Sequence, residues 1–191
     1  MDYLRNKLFF RLFLWALSVL FIENTICSMA NCMEYDEYLF EKDSHKIFSL
    51  IENKKYNEAK EKALTAYDNA EKSFGKESHN TAIAMSNLAI TLMLTNNYEE
   101  AKELLISLVE IQKKESSVGY AGNLIDLAVI YEIEGNREKA GQLYNEAVNI
   151  IKSTYGSRYI SKLLTCYIQE YEEFEIDADM KRLKDEIKKY E

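Results

Sequence analysis

The side chains best suited to chemistry are few and scattered. The 191-residue chain holds two histidines, His45 and His79, and three cysteines, Cys27, Cys32 and Cys166. A zinc or iron centre needs His, Cys or carboxylate ligands at short, fixed spacings. No Cys–His or carboxylate–His spacing in this chain resembles one, and His45 reads as a surface or groove residue. A phosphate loop needs a preceding strand and a following Lys-Ser or Lys-Thr; Gly119-Tyr120-Ala121-Gly122 has neither. No serine occupies the strand-to-helix elbow that exposes a nucleophile. The carboxylate pairs Glu99-Glu100 and Glu172-Glu173 fall at the starts or ends of predicted helices. There they serve as solvated faces or as charges favoured near a helix N-terminus. No catalytic residue, metal site or cofactor is expected.

The elements that must position any site are helices. Proline is absent and glycines number six, so the two residues that most strongly interrupt helices are nearly missing. The chain is 47% hydrophobic and 29% charged, and its length suits one domain with a sizeable core. It carries 24 basic and 32 acidic residues, a net charge of −8. That balance repels phosphate backbones and argues against nucleic acid as a partner.

Residues 1–30 follow a separate logic. Arg5, Lys7 and Arg11 precede an apolar run from Leu12 to Ile22, and Ser28 and Ala30 sit two apart. This is the order of a secretory signal peptide, with cleavage expected after Ala30 and export to a periplasm or the cell exterior. The alternative is an uncleaved membrane tether over residues 8–22. A lipoprotein signal is excluded, because Ile26 and Asn31 precede Cys27 and Cys32. In an exported chain Cys32 and Cys166 either pair or remain two unpaired small hydrophobes.

A repeat organises the remainder. Lys54-Lys55-Tyr56-Asn57-Glu58-Ala59 recurs as Asn96-Asn97-Tyr98-Glu99-Glu100-Ala101 and as Gly135-Asn136-Arg137-Glu138-Lys139-Ala140, with offsets of 42 and 39. Upstream, Asn87-Leu88-Ala89 aligns with Asp126-Leu127-Ala128, and Leu92 with Tyr131. Downstream, Ala59-Ala63-Ala66, Ala101-Leu105-Leu108 and Ala140-Tyr144-Ala147 share one spacing, and Phe74-Gly75 returns as Tyr155-Gly156. Apolar residues at +3 and +4 define two amphipathic helices per unit, in the second unit about 81–95 and 98–113. Asn96 and Gly135 suit the left-handed backbone that ends a helix. Tyr98, Tyr131, Tyr144, Tyr155 and Tyr167 fall on positions that pack between helices. A lone hairpin cannot bury its apolar face, so neighbours must stack.

These residues resemble the tetratricopeptide repeat family, and Phe74-Gly75-Lys76-Glu77-Ser78-His79 resembles the linker of the kinesin-light-chain variety. Asn80 stands where that linker has proline, and Ser116-Ser117 replaces its aromatic-Gly pair. The resemblance covers about residues 38–171. It implies an all-α, right-handed superhelical stack of antiparallel helix hairpins, with His79 in a structural role. The domain plan is residues 1–30 as signal or anchor, 31–37 as a lead-in, 38–174 as three to four hairpins, and 175–191 as a capping helix begun by Asp177. Asp43, Ser44 and His45 stand where the first repeat should be apolar or small.

The resemblance also implies a concave groove lined by the first helix of each hairpin. Ser86, Asn87, Ile90, Met93 and Leu94 would face it in the second repeat, and Asn123, Asp126, Val129, Glu132 and Ile133 in the third. Asn87 holds the place of an asparagine that binds peptide backbone in such repeats. Asp126, acceptor-only when ionised, breaks that ladder. The implied function is non-catalytic binding of another protein or of a peptide whose segment is apolar or basic. The alternative is a membrane-tethered structural subunit of an envelope complex that associates with itself.

Overall fold

The computed structural model describes residues 35–113, 117–174, 176 and 178–190. The signal or anchor segment, Cys32, Ser116 and Asp177 lie outside them. Residues 39–191 form one compact unit, which holds nearly all of the architecture that follows.

Helices run α1 (Glu37–Glu52), α2 (Tyr56–Phe74), α3 (His79–Leu94), α4 (Tyr98–Gln112), α5 (Val118–Ile133), α6 (Arg137–Tyr155), a 3-10 turn (Ser157–Tyr159), α7 (Ile160–Glu173) and α8 (Lys181–Ile187). No strand occurs among the described residues. From α2 to α8 each helix packs on the next, giving an all-α solenoid of consecutive hairpins. Phe40 of α1 meets Phe74 of α2 edge-on at 6.1 Å, and Asp43 pairs with Lys62.

One turn closes every hairpin. Lys54, Asn96 and Gly135 carry φ of 57°, 59° and 78°. One residue later, Lys55, Asn97 and Asn136 donate their N–H to the carbonyls of Leu50, Leu92 and Tyr131 at 2.9, 2.8 and 2.8 Å. This is the six-to-one bond of a Schellman ending. The N–H of Ile176 repeats it to Tyr171 at 3.0 Å, so α7 and α8 form a fourth hairpin. The links between hairpins are equally regular. Gly75 and Gly156 share φ of 86°, with ψ of 155° and 160°, a region in which a side chain is strained. Ser78 and Ser117, 39 residues apart, each accept the N–H three residues on at 3.1 Å, from Thr81 and Tyr120. The second link therefore keeps the helix cap of the first even though its glycine is gone. Thr81 also donates to the Gly75 carbonyl at 2.8 Å. The structural work of this linker falls on Ser78 and Thr81; His79 is exposed.

The core follows the register. Ala59, Ala101 and Ala140 are fully buried, as are Ala89 and Ala128 across their hairpins. Leu88, Leu127, Leu105, Leu108, Tyr131, Tyr144 and Ala147 fill the space between. Tyr98 is half-buried, its hydroxyl donating to Asn96 at 2.9 Å.

Two expectations are corrected. Tyr155 is 48% exposed and meets Tyr159 edge-on at 6.2 Å. Its counterpart Phe74 is covered by Phe40, but 81 residues beyond Phe40 stands Ala121, whose methyl cannot reach it. The last helix begins at Lys181, where Asp179 accepts the Lys181 N–H at 3.0 Å. Ala178, Asp179 and Met180, expected in its first turn, precede the helix. Met180, Leu183 and Ile187 bury its apolar stripe.

Candidate functional site

A cleft of about 250 Å³ opens across the first helices of the stack. Phe48 of α1, Ile90 and Met93 of α3, and Phe174 and Ile176 beyond α7 supply apolar wall. Ser86, Asn123 and Asp126 supply the polar part. Ser86 Oγ donates to Asn123 Oδ1 at 2.8 Å, and Asn123 Nδ2 donates to Gln112 Oε1 at 2.6 Å. This chain fixes the orientation of a buried amide and ties α3 and α4 to α5. Tyr171 of α7 donates its hydroxyl to Asp126 of α5. Burial, reinforced by the Asp126 charge, pushes the Tyr171 hydroxyl well above its ordinary range, so it stays a donor at neutral pH. Tyr167 lies against Gly122, and its hydroxyl occupies the space a Cβ there would need.

The structure thus gathers Ser86, Ile90, Met93, Asn123 and Asp126 into one cleft and leaves Asn87, Leu94, Val129, Glu132 and Ile133 out of it. Val129 is fully buried. It occupies the repeat position of Ile90, but every residue of α5 from Tyr120 to Tyr131 is buried, with α7 laid over α5 through Tyr167 and Tyr171. Asn87 is buried as well, and its Nδ2 points at Ser44 Oγ of α1, 3.4 Å away. It joins two helices instead of facing a ligand. Ser44 thereby finds its partner in the second hairpin and Asp43 pairs with Lys62 within the first, while His45 is exposed. Leu94 and Ile133 are partly buried against the core.

Phe48, Tyr167, Tyr171, Phe174 and Ile176 were not predicted as cleft residues. Phe48 had a signal, since it stands 42 residues before Ile90, the offset of the first two repeats. The others come from the fourth hairpin, where no fixed offset is visible.

Glu132 also leaves the groove. Its carboxylate is buried, with Arg182 Nε of α8 at 3.7 Å. Burial raises its pKa above the ordinary 4.5, and Arg182 opposes the rise. Arg182 Nη2 donates to the Arg137 carbonyl at 3.1 Å, and the guanidinium lies on Gly141, where a Cβ would push it aside. The second repeat has Lys102 at this position, whose ammonium bridges Glu99 and Glu134 at 2.9 and 2.6 Å. The solenoid's end replaces that forward-reaching lysine with an arginine that reaches back.

No group of three His, Cys, Asp and Glu side chains among the described residues could hold a metal ion, and Cys166 is an exposed thiol on α7. No helix among them is long and apolar enough to cross a membrane. Residues 40–114, which span α1 to α4, match the tetratricopeptide repeat family model. No curated protein matches the chain. Repeats of this family mediate protein–protein interaction and are typically non-catalytic. The turn, cap and buried alanine continue past the matched segment, and the match and the stacked hairpins together fit a tetratricopeptide-repeat protein.

Proposed function

We propose that the chain is a non-catalytic module that binds a partner protein or peptide in the cleft across α1, α3, α5 and α7. The observation that carries this reading is the cleft itself. Exposed Phe48 and half-buried Ile90 stand over an oriented Ser86–Asn123–Gln112 network. Apolar anchors beside fixed polar groups are what peptide recognition requires. Phe48 is 47% exposed, so a photo-crosslinking amino acid there should capture a partner, and Ile90→Glu should abolish the adduct. The same probe at Ile106, 40% exposed on α4, should capture little. Equal capture from both positions, or capture from Ile106 alone, would move the site to the second helices.

We further propose that the module works outside the cytoplasm, on the strength of the basic, apolar and small-residue order of residues 1–30. Trp15 is the chain's only tryptophan. Cleavage after Ala30 leaves a mature protein with tyrosine emission alone, whereas tryptophan emission from the exported protein would mean the segment stays attached.

A further inference from the structure

The cleft has a charge character that partner binding alone does not specify. Among the described residues its lining holds one ionisable carboxylate, Asp126, and no Lys, Arg or His. Four aromatic rings, Phe48, Tyr167, Tyr171 and Phe174, stand in the same wall. Tyr167 and Tyr171 lie nearly parallel, 25° apart in plane with centroids 6.5 Å apart. The hydrogen bond from Tyr171 to Asp126 holds that ring's edge at the carboxylate. Aromatic faces are negative, and they attract cations most strongly where water is excluded. A carboxylate in a buried wall acts in the same direction, because the local dielectric is low. An anionic group would meet repulsion from both.

Size narrows the occupant. A volume of about 250 Å³ lies below the range of sites for drug-sized molecules and suits one or two side chains. The charge is also peculiar to this place in the stack: the second repeat carries Asn87 where the third carries Asp126.

We infer that the cleft receives a lysine or arginine side chain of the partner. Its aliphatic stem lies along Ile90 and Met93, and its cationic head faces Asp126 and the tyrosine rings. This rests on the partner-binding reading proposed above, and the test separates the two. The full chain is applied to heptapeptide mixtures in which only the central residue is fixed. Mixtures fixed as Lys or Arg should be retained about tenfold better than norleucine, the scale of one desolvated cation contact. Glutamate should be retained least. Asp126→Asn keeps an acceptor for Tyr171 and installs the second repeat's own residue, and it should bring the Lys and Arg mixtures down to norleucine. Tyr167→Leu, which removes one ring, should lower them about threefold. Raising sodium chloride from about 0.05 to about 0.5 M should weaken the basic mixtures and spare norleucine. Equal retention of norleucine, or an undiminished Lys and Arg preference in both variants, would overturn the cation site and leave an apolar peptide cleft. Retention of no mixture by the wild-type chain would overturn both readings.

Discussion

The second and third hairpins are built on one pattern, yet they stand differently in the molecule. Both close on a left-handed residue, Asn96 or Gly135, both cap their first helix with serine, and both bury an alanine completely, Ala101 or Ala140. Their first helices then diverge. α3 leaves Ile90 half-buried, while α5 is enclosed from Tyr120 to Tyr131. Their second helices diverge too, with Lys102 reaching forward to Glu134 and Gly141 receiving Arg182 from behind. Shared local chemistry sets the hairpin; what packs against it decides which residues remain available to a ligand.

The largest effect should come from the feature the two hairpins share. Ala101→Leu and Ala140→Leu each force extra methylenes between closely packed helices and should each cost about 1–3 kcal/mol, read as a lowered denaturation midpoint. A loss confined to one of them would mean that the hairpins do not share a register.

Next is the feature they do not share. Arg182→Ala leaves the buried Glu132 carboxylate without its cation and should cost about 1–2 kcal/mol at pH 7. Burial already holds the Glu132 carboxyl above its ordinary 4.5, so the folded chain keeps that proton more tightly than the unfolded one. Stability linked to this group is therefore greatest below about pH 4.5 and falls as pH rises through the folded value. Without Arg182 the carboxyl climbs further, and the variant should lose more at pH 7 than at pH 4.5. Equal losses at the two pH values would show that Arg182 acts through packing alone.

How much of this was readable beforehand depends on the range of each interaction. Turns and alanines were legible because their signals lie within one helical turn: a left-handed Asn96 or Gly135, an Ala101 at fixed spacing from Leu105. The Ser78 cap was missed, the linker's role having been given to its neighbour His79, which is exposed. Asp126 was legible as a departure from Asn87, and so was its broken asparagine ladder. Its partner was not, because Tyr171 lies 45 residues away in a hairpin whose spacing follows no visible offset. Val129 was assigned to the groove by analogy with Ile90, and that analogy fails once α7 covers α5. Gly141 did leave a mark, as a helix-weakening glycine where its counterparts are Lys60 and Lys102. What it admits could be known only from the position of α8.

That glycine gives a smaller and sharper test. Alanine is favoured over glycine in a helix by about 1 kcal/mol, but its Cβ would collide with the Arg182 guanidinium. Gly141→Ala should therefore stabilise by about 1 kcal/mol in an Arg182→Ala background and by clearly less in the wild-type chain. Equal gains in both backgrounds would place Arg182 away from Gly141. The smallest expected change extends the comparison to the first hairpin. Lys54 holds φ at 57° where its counterparts are Asn96 and Gly135. Lys54→Gly should relieve that strain and raise stability by about 0.5 kcal/mol, visible as a higher melting temperature.

The central claim is that a ligand meets the first helices and not the second. Methyl-labelled isoleucine and methionine report on both sets in one spectrum. Ile90, Met93 and Ile176 line the cleft, while Ile106 and Ile150 belong to α4 and α6. On titration with the peptide mixture best retained by the chain, the signals of Ile90, Met93 and Ile176 should shift while those of Ile106 and Ile150 stay in place. Shifts confined to Ile106 and Ile150 would contradict the account.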